Sequence, residues 1–413
     1  MTAHLLFIIF VLILVLNFAL EHIAKYLNAQ HFKDALPSEL ATVYSSDKYN
    51  KSQEYNHLNY KFGLLQSFLS FALLLLFIFF NGFKELDLFV RQFTQNDIYV
   101  SLLYFGIIFL VSTLISLPFS YYQTFKIEER FGFNKMTKSL FVKDTLKSLL
   151  LSIILGGLIL VAILWFYSKF PTTFWLYTWT LITAFSLFMN LFYTELILPL
   201  FNKLTPLEEG PLKENLERFA KKVNFNLKAI FLIDGSKRST KANAYFSGFG
   251  KTKKIVLYDT LTDDLTDDEI TAVLAHEIGH YKKNHIIFNL ILSIILTGLT
   301  LFLLSLFISN PLLSQAVGIE KPSFHIGIII FMILYTPLSV LTGLLMNILS
   351  RKFEYQADNF AKNHGYSKSL ILGLKKLSSS SLSNLTPHKF YVFLNYSHPT
   401  LLQRINNLKQ KAK

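Results

Sequence analysis

The 413-residue chain contains no cysteine, and only 16% of its residues are charged. Without thiols it can form neither disulfide bonds nor thiolate metal sites, and it has no cysteine nucleophile. So low a charged fraction, beside 52% hydrophobic residues, excludes an ordinary soluble enzyme and is typical of an integral membrane protein.

The charged residues are scarcest in seven long apolar runs. Each run has about the length that a helix needs to cross a hydrocarbon core of about 30 Å. Glu195, near the end of the fifth run, is the only ionisable residue within them. The first run lacks a basic leading segment and a small-residue cleavage site, so we expect a true span rather than a signal peptide. The seven predicted spans are 5–20, 62–83, 98–121, 149–167, 174–200, 287–309 and 326–350.

Lysine and arginine are distributed unevenly about these spans. Of the 40 basic residues, 36 lie in four segments. Because each span crosses the membrane once, these four segments all lie on the same side of it. Because basic loops remain in the cytosol, these segments are predicted to lie on the cytosolic side of a bacterial inner membrane or of an endoplasmic reticulum membrane. The net charge of +13 therefore indicates topology and contact with anionic headgroups rather than nucleic-acid binding. The four segments are 21–61, 122–148, 201–286 and 351–413.

Two of the cytosolic segments are long enough to fold outside the bilayer. The first has a helical period over 212–223, followed by strand-like runs at 229–233 and 254–258 that the glycine-rich stretch 246–250 separates. In the second segment, Ser378 to Ser381 is predicted to be a loop. The predicted fold is mainly α, with seven transmembrane helices and a small cytosolic α+β region.

This pattern divides the chain into two parts. Residues 1–200 form an N-terminal membrane region with five spans. Residues 201–413 contain the remaining two spans and the polar segments, and they carry the residues suited to chemistry.

A capped helix in the second part carries an H-E-x-x-H pattern. Thr266 and Glu269 form a capping box that starts this helix. His276 and His280 lie four residues apart on one helix face, close enough to share one Zn²⁺ at about 2.0–2.1 Å. The alternative is an interfacial helix whose polar groups snorkel to water. The capped helix favours one zinc ion per chain, with Glu277 beside it as general base.

A third ligand is expected where the seventh span ends. Glu354 and Asp358 are spaced so that one can bind the metal while the other supports the site. The alternative is a pair of acidic residues on a solvated helix face. Because spans six and seven form an antiparallel hairpin, Glu354 returns to the surface at which His280 lies, so Glu354 is the predicted ligand. His285, five residues after His280, is predicted to point away from the metal.

Beyond the zinc motif, the chain resembles the type 1 CAAX prenyl protease family of seven-span zinc metalloproteases along nearly its full length. A minor departure is Thr400, which stands where that family commonly has a second proline. The motifs that carry the resemblance are EERFGFNK at 128–135, ILPLFNK at 197–203, NAYF at 243–246, FEYQAD at 353–358 and SHP at 397–399.

The resemblance implies features that spacing alone does not show. The seven helices would enclose a large chamber with the zinc at its cytosolic end. His398 would stabilise the transition state, and Asn243 would hydrogen-bond the substrate backbone. From the residues alone, His398 only precedes a helix and Asn243 forms a turn. Arg404 either supports the His398 segment or lies on a solvated basic face.

The sequence therefore predicts a membrane-embedded zinc metalloendopeptidase that acts on peptides or membrane proteins, with its active site facing the cytoplasm and its oligomeric state open. Its reaction is either C-terminal CAAX-type processing or quality-control cleavage of membrane proteins, with soluble loops a third substrate. A metal transporter with the same ligands is the alternative from another class. It is disfavoured because six of the seven spans have no ionisable residue. A silent zinc scaffold is disfavoured because structural sites usually close all four ligand positions.

Overall fold

The computed structural model describes residues 2–247 and 254–410, and it is helical apart from one small sheet. The membrane helices are α1 (Ala3–Gln30), α2 (Ser46–Phe79), α4 (Asp97–Tyr122, continued as a π-helix over Gln123–Glu128), α5 (Lys138–Lys169), α6 (Phe174–Leu196, continued by α7, Leu198–Phe201), α11 (His285–Phe307) and α13 (Phe324–Asn363). The remaining helices are α3 (Gly82–Arg91), α8 (Pro211–Lys222), α9 (Asp259–Asp264), α10 (Asp267–Lys282), α12 (Pro311–Gln315), α14 (Ser367–Ser380), α15 (Lys389–Asn395) and α16 (Leu401–Lys409).

The prediction of seven membrane helices is confirmed, since seven described helices are long and apolar enough to cross a bilayer. Several of them are much longer than the predicted spans, and α13 is the longest. α13 has 40 residues, about 60 Å at 1.5 Å per residue, against a hydrocarbon core of about 30 Å. Its C-terminal turns therefore continue beyond the bilayer.

The membrane helices are arranged in a ring. α1 packs against α2 and α13, and the contacts continue through α11, α6, α5 and α4, whose π-helical end returns to α2. Within the most apolar 18 residues of each helix, only 6–17% are buried. Most residues of these helices are therefore exposed, either on the outer surface of the ring, which would face lipid, or toward its interior, where the family resemblance implies a chamber.

The end of the ring away from the polar segments is closed by α3 and α12. Apolar residues of both helices pack with α1, α4 and α13 there. His325 of α13 is buried between Asp87 of α3, 2.8 Å from its Nε2, and Ser101 of α4, 3.0 Å from its Nδ1. Burial raises the pKa of Asp87, but hydrogen bonds from His325 and Arg91 outweigh burial and lower it below its usual value. These polar contacts join α3, α4 and α13.

The polar region contains a four-stranded sheet in the order β1-β2-β4-β3. β2 (Ala229–Ile233) and β4 (Lys254–Tyr258) are the two predicted strands, and they pair in parallel. β1 (Leu204–Pro206) and β3 (Ala244–Ser247) flank them in antiparallel pairings and were not predicted. Residues 248–250 of the predicted glycine-rich stretch lie outside the described residues.

One hydrophobic core joins the sheet to α8, α10 and α14. The predicted helix over 212–223 is confirmed as α8. The predicted loop at Ser378 to Ser381 is wrong, because α14 continues to Ser380. The hydroxyl groups of Ser380 and Ser381 donate to the carbonyl oxygen of Leu377, so these serines extend the last helical turn instead of breaking it.

Candidate active site

α10 carries the H-E-x-x-H pattern, and its start is fixed from two directions. The predicted capping box is confirmed: the Thr266 hydroxyl accepts from the Glu269 backbone, and the Glu269 carboxylate accepts from the Thr266 backbone. Lys376 of α14 donates to the same carboxylate at 2.7 Å. Burial raises the pKa of Glu269, but the hydrogen bonds from Lys376 and the Thr266 backbone lower it by more, so the pKa falls below its usual value. α10 is thereby held against α14.

The structure brings His276, His280 and Glu354 together. The Nε2 atoms of the two imidazoles are 3.2 Å apart, and Glu354 Oε1 lies 3.1 Å from Nε2 of His280. Oε2 of Glu354 lies 3.6 Å from Nε2 of His276. Neighbouring ligands of a tetrahedral ion with bonds of 2.0–2.1 Å are separated by about 3.3 Å. The three side chains therefore already have the spacing of a shared metal site.

Glu354 supplies an independent indication of a cation. Its side chain is almost fully buried, and its Oε2 atom accepts no hydrogen bond from the described residues. Nη1 of Arg404 lies 3.4 Å from this atom without a hydrogen bond to it, and a divalent cation would satisfy the buried acceptor. The donor set of two nitrogens and one carboxylate oxygen suits a catalytic metal site that leaves one position open.

Asp358 orients the first imidazole from behind. This fully buried carboxylate has an oxygen 2.9 Å from Nδ1 of His276, and Nη2 of Arg404 lies 3.2 Å from the same nitrogen, so both groups hold the ring with its Nε2 toward Glu354. The prediction that one carboxylate of the α13 pair faces the metal position while the other supports it agrees with this geometry.

Arg404 of α16 is buried against the same carboxylates. Its Nε and Nη2 donate to the two oxygens of Asp358 at 3.0 and 2.6 Å, and its Nη1 lies 3.4 Å from Oε2 of Glu354. Burial alone would lower the pKa of Arg404, but Asp358 and Glu354 raise it above its usual value. Of the two alternatives left by the sequence, the solvated basic face is excluded.

A cavity of about 350 Å³ opens in front of the three side chains. Glu277 lines it half-buried, and Asn243 reaches it from the residue before β3. His398 also lines it, with 63% of its side chain exposed and its Nε2 atom 3.4 Å from Glu354 Oε1. All eight residues singled out from the sequence therefore lie at one site.

His398 also lines a second cavity of about 600 Å³ between α1, α2 and the segments after α14. The two cavities therefore share a wall beside the site. Amide side chains are frequent in the second cavity, and they are those of Asn28, Asn56, Asn59, Gln66 and Asn384. Such groups can both donate to and accept from a peptide backbone.

The prediction for His285 is wrong. Asn284, between α10 and α11, has a left-handed backbone with φ 58° and ψ 24°, so the helical period stops there. His285 consequently turns back toward the site, and its Nδ1 lies 3.1 Å from Nδ1 of His280. The asparagine at 284 was the available signal, since asparagine adopts this conformation more readily than most residues.

Gly279 sets the distance between α10 and α13. A Cβ atom at this position would lie 2.9 Å from the Cα of Ala357, closer than side chains pack. The glycine between the two histidines thus lets α13 approach closely enough for Glu354 to reach them.

Comparison with known proteins adds the family context. Residues 25–203 match a family described as the CAAX prenyl protease N-terminal region with five membrane helices, and residues 206–412 match peptidase family M48. The CAAX prenyl protease 1 of Saccharomyces cerevisiae is 37% identical over 95% of this chain and 92% of its own length. The homologue from Homo sapiens is 32% identical over 91% and 88%. The crystal structure of S. mikatae Ste24p has a TM-score of 0.92 at 35% identity and covers 98% of this chain and 99% of its own.

Proposed function

We propose, since this chain belongs to the type 1 CAAX prenyl protease family of membrane metalloendopeptidases, that it cleaves peptides at one zinc ion held by His276, His280 and Glu354. The observation that carries the proposal is that ligand atoms of these three side chains all lie within 4.8 Å of one another. Two imidazoles and one carboxylate with an open fourth position are a common donor set for catalytic zinc.

The remaining side chains fit the steps of peptide hydrolysis. Zinc, when bound, lowers the pKa of water toward about 7 and polarises the scissile carbonyl. Glu277 removes the water proton and passes it to the leaving amine. His398, exposed to both cavities, donates to the oxyanion that develops on the carbonyl.

The substrate is proposed to bind as an extended chain. β3 lies at an edge of the sheet, so its outer backbone groups can pair with a peptide as an added strand. Asn243 directly precedes β3 and would hydrogen-bond the peptide beside the metal. Such a path, leading on into the amide-lined cavity, admits an extended peptide and excludes a folded protein.

We propose a C-terminal CAAX-type peptide as the substrate, on the strength of the names of the relatives. We propose that residues 1–200 form an N-terminal membrane region with five spans and that 201–413 form the protease region with the other two spans, a division supported by the boundary between the two matched families. The site is proposed to face the cytoplasm, because 36 of the 40 basic residues lie on its side of the membrane. The proposed membrane is the bacterial inner membrane or the membrane of the endoplasmic reticulum.

Glu277→Gln tests the proposal. We expect purified E277Q to keep one zinc per chain, because Glu277 is not a ligand, and to cleave a prenylated CAAX peptide about 10²–10⁴-fold more slowly. Zinc is measured by elemental analysis and cleavage by chromatography of the products. Glu217→Gln, at an exposed glutamate of α8, is the matched control and should cleave normally.

Two results would contradict the proposal. A native protein without stoichiometric zinc would remove the metal site, and normal cleavage by E277Q would remove the general base. A transporter that used the same ligands would keep its metal flux in E277Q. Cleavage of misfolded membrane proteins but not of the CAAX peptide would favour the quality-control alternative.

A further inference from the structure

The second imidazole of the site needs a partner that the sequence did not identify. A histidine that binds a metal through one ring nitrogen carries its proton on the other, and the group that accepts this proton fixes the tautomer and the ring orientation. For His276, the carboxylate of Asp358 lies in the place of such a group, 2.9 Å from Nδ1. Nε2 of His280 faces His276 and Glu354, so its Nδ1 must carry the proton. The atom that this Nδ1 meets is Nδ1 of His285, 3.1 Å away.

His285 can accept that proton in only one of its neutral tautomers. Its Nδ1 must be unprotonated, so its Nε2 must carry the hydrogen. Nε2 of His285 lies 2.7 Å from Oε1 of Gln356, which accepts. Gln356 belongs to the same turn of α13 that carries Glu354. Two hydrogen bonds therefore run from His280 through His285 to α13.

The ring of His285 is held in this position. It is 2% exposed and stacks on Phe353 with ring centroids 4.1 Å apart and 11° between the planes. Its backbone follows the left-handed Asn284, which turns the side chain toward His280. The packing leaves little freedom for another orientation of the ring.

We propose that His285 and Gln356 are positioning residues that fix the metal-binding tautomer of His280. If His285 were to donate instead, the proton of His280 would move to Nε2, the atom that faces the metal position. The pair thus presents an Nε2 lone pair in the direction of Glu354. This inference rests on the metal site of the proposed function and adds a further requirement for binding zinc.

Two substitutions of His285 separate positioning from packing. His285→Phe keeps an aromatic ring for the stack on Phe353 but removes the acceptor. His285→Asn loses the ring but places an amide oxygen near the position of Nδ1. We expect H285F to bind zinc about 10–100-fold more weakly than the native protein, and H285N to recover most of this loss. A role in packing alone predicts the opposite order.

The experiment uses the full chain in detergent, loaded with one zinc ion and titrated with a fluorescent zinc chelator in the absence of peptide. Gln356→Leu gives a second test that leaves the ring stack intact, and Gln356→Glu is its matched control because a carboxylate can only accept. We expect Q356L to bind zinc several-fold more weakly and Q356E to match the native protein.

Native zinc affinity in H285F, or in Q356L should H285F not fold, would overturn the inference. Weaker binding by H285N than by H285F would do the same. If the native protein itself bound no zinc, the proposed function would fail instead, so the two failures are distinguishable.

Discussion

Because His398 is exposed, the effect of replacing it on catalysis can be measured separately from any effect on the stability of the fold. Its side chain is 63% exposed, and its polar contacts are a long one with Glu354 and one with the hydroxyl of its neighbour Ser397, so its removal should hardly affect folding. We expect His398→Ala to lower kcat by about 10²–10³-fold, the usual effect of losing one oxyanion donor. Thermal unfolding and zinc content should stay native. An unchanged kcat would show that another group stabilises the oxyanion.

The residues of the site differ in how far the sequence alone could identify them. The two histidines and Glu277 form a short pattern on one helix, so spacing was sufficient for them. Glu354 required the additional inference of a hairpin. Arg404 lies 46 residues after Asp358 and on another helix, and no local period connects the two. The sequence therefore could not decide whether Arg404 is buried at the site or lies on a solvated face. The roles of His398 and Asn243 came only from the family resemblance.

At the scale of elements, the approach of α10 to α13 is the step on which the site depends. A methyl group at Gly279 would meet the backbone of Ala357 at 2.9 Å, and backbone cannot rotate away as a long side chain can. We expect Gly279→Ala to lower the free energy of unfolding by about 1–3 kcal/mol. It should also weaken zinc binding, because the added methyl group would push α13 away from α10 and so move Glu354 away from the two histidines.

The matched control for this substitution is Gly343→Ala in α13. A methyl group at Gly343 would meet nothing within 4 Å, and alanine favours a helix. Chemical unfolding and chelator titration of both variants check the prediction. If G279A retained native stability and zinc affinity, the close packing of α10 and α13 would not be what positions Glu354.

Elements were predictable where the pattern was long and local. The seven spans, α8, β2 and β4 are confirmed because hydropathy or period marks each of them over five residues or more. β1 has three residues and β3 has four, too few for a period, and both depend on pairing with strands elsewhere in the chain. The break at Asn284 is a single residue within two helical patterns, so the period was extended through it and His285 was placed wrongly.

For the whole molecule, the ring of helices fixes which segments share a side but not which side is the cytosol. The distribution of basic residues is the argument for the orientation proposed here, and the complete absence of cysteine makes it directly testable. Glu217 of α8 and Glu320, between α12 and α13, are both exposed glutamates on opposite sides of the ring. Each can be replaced by a single cysteine without any background thiol.

We expect a membrane-impermeant maleimide, applied to right-side-out vesicles or intact bacterial cells, to label Glu320→Cys at once. Glu217→Cys should be labelled only after detergent opens the membrane, because 36 of the 40 basic residues lie on its side and basic loops are retained in the cytosol. Labelling is read by the shift in mass of the full chain. The reverse pattern would place the zinc site outside the cytosol, and cytosolic CAAX peptides could then not be its substrates.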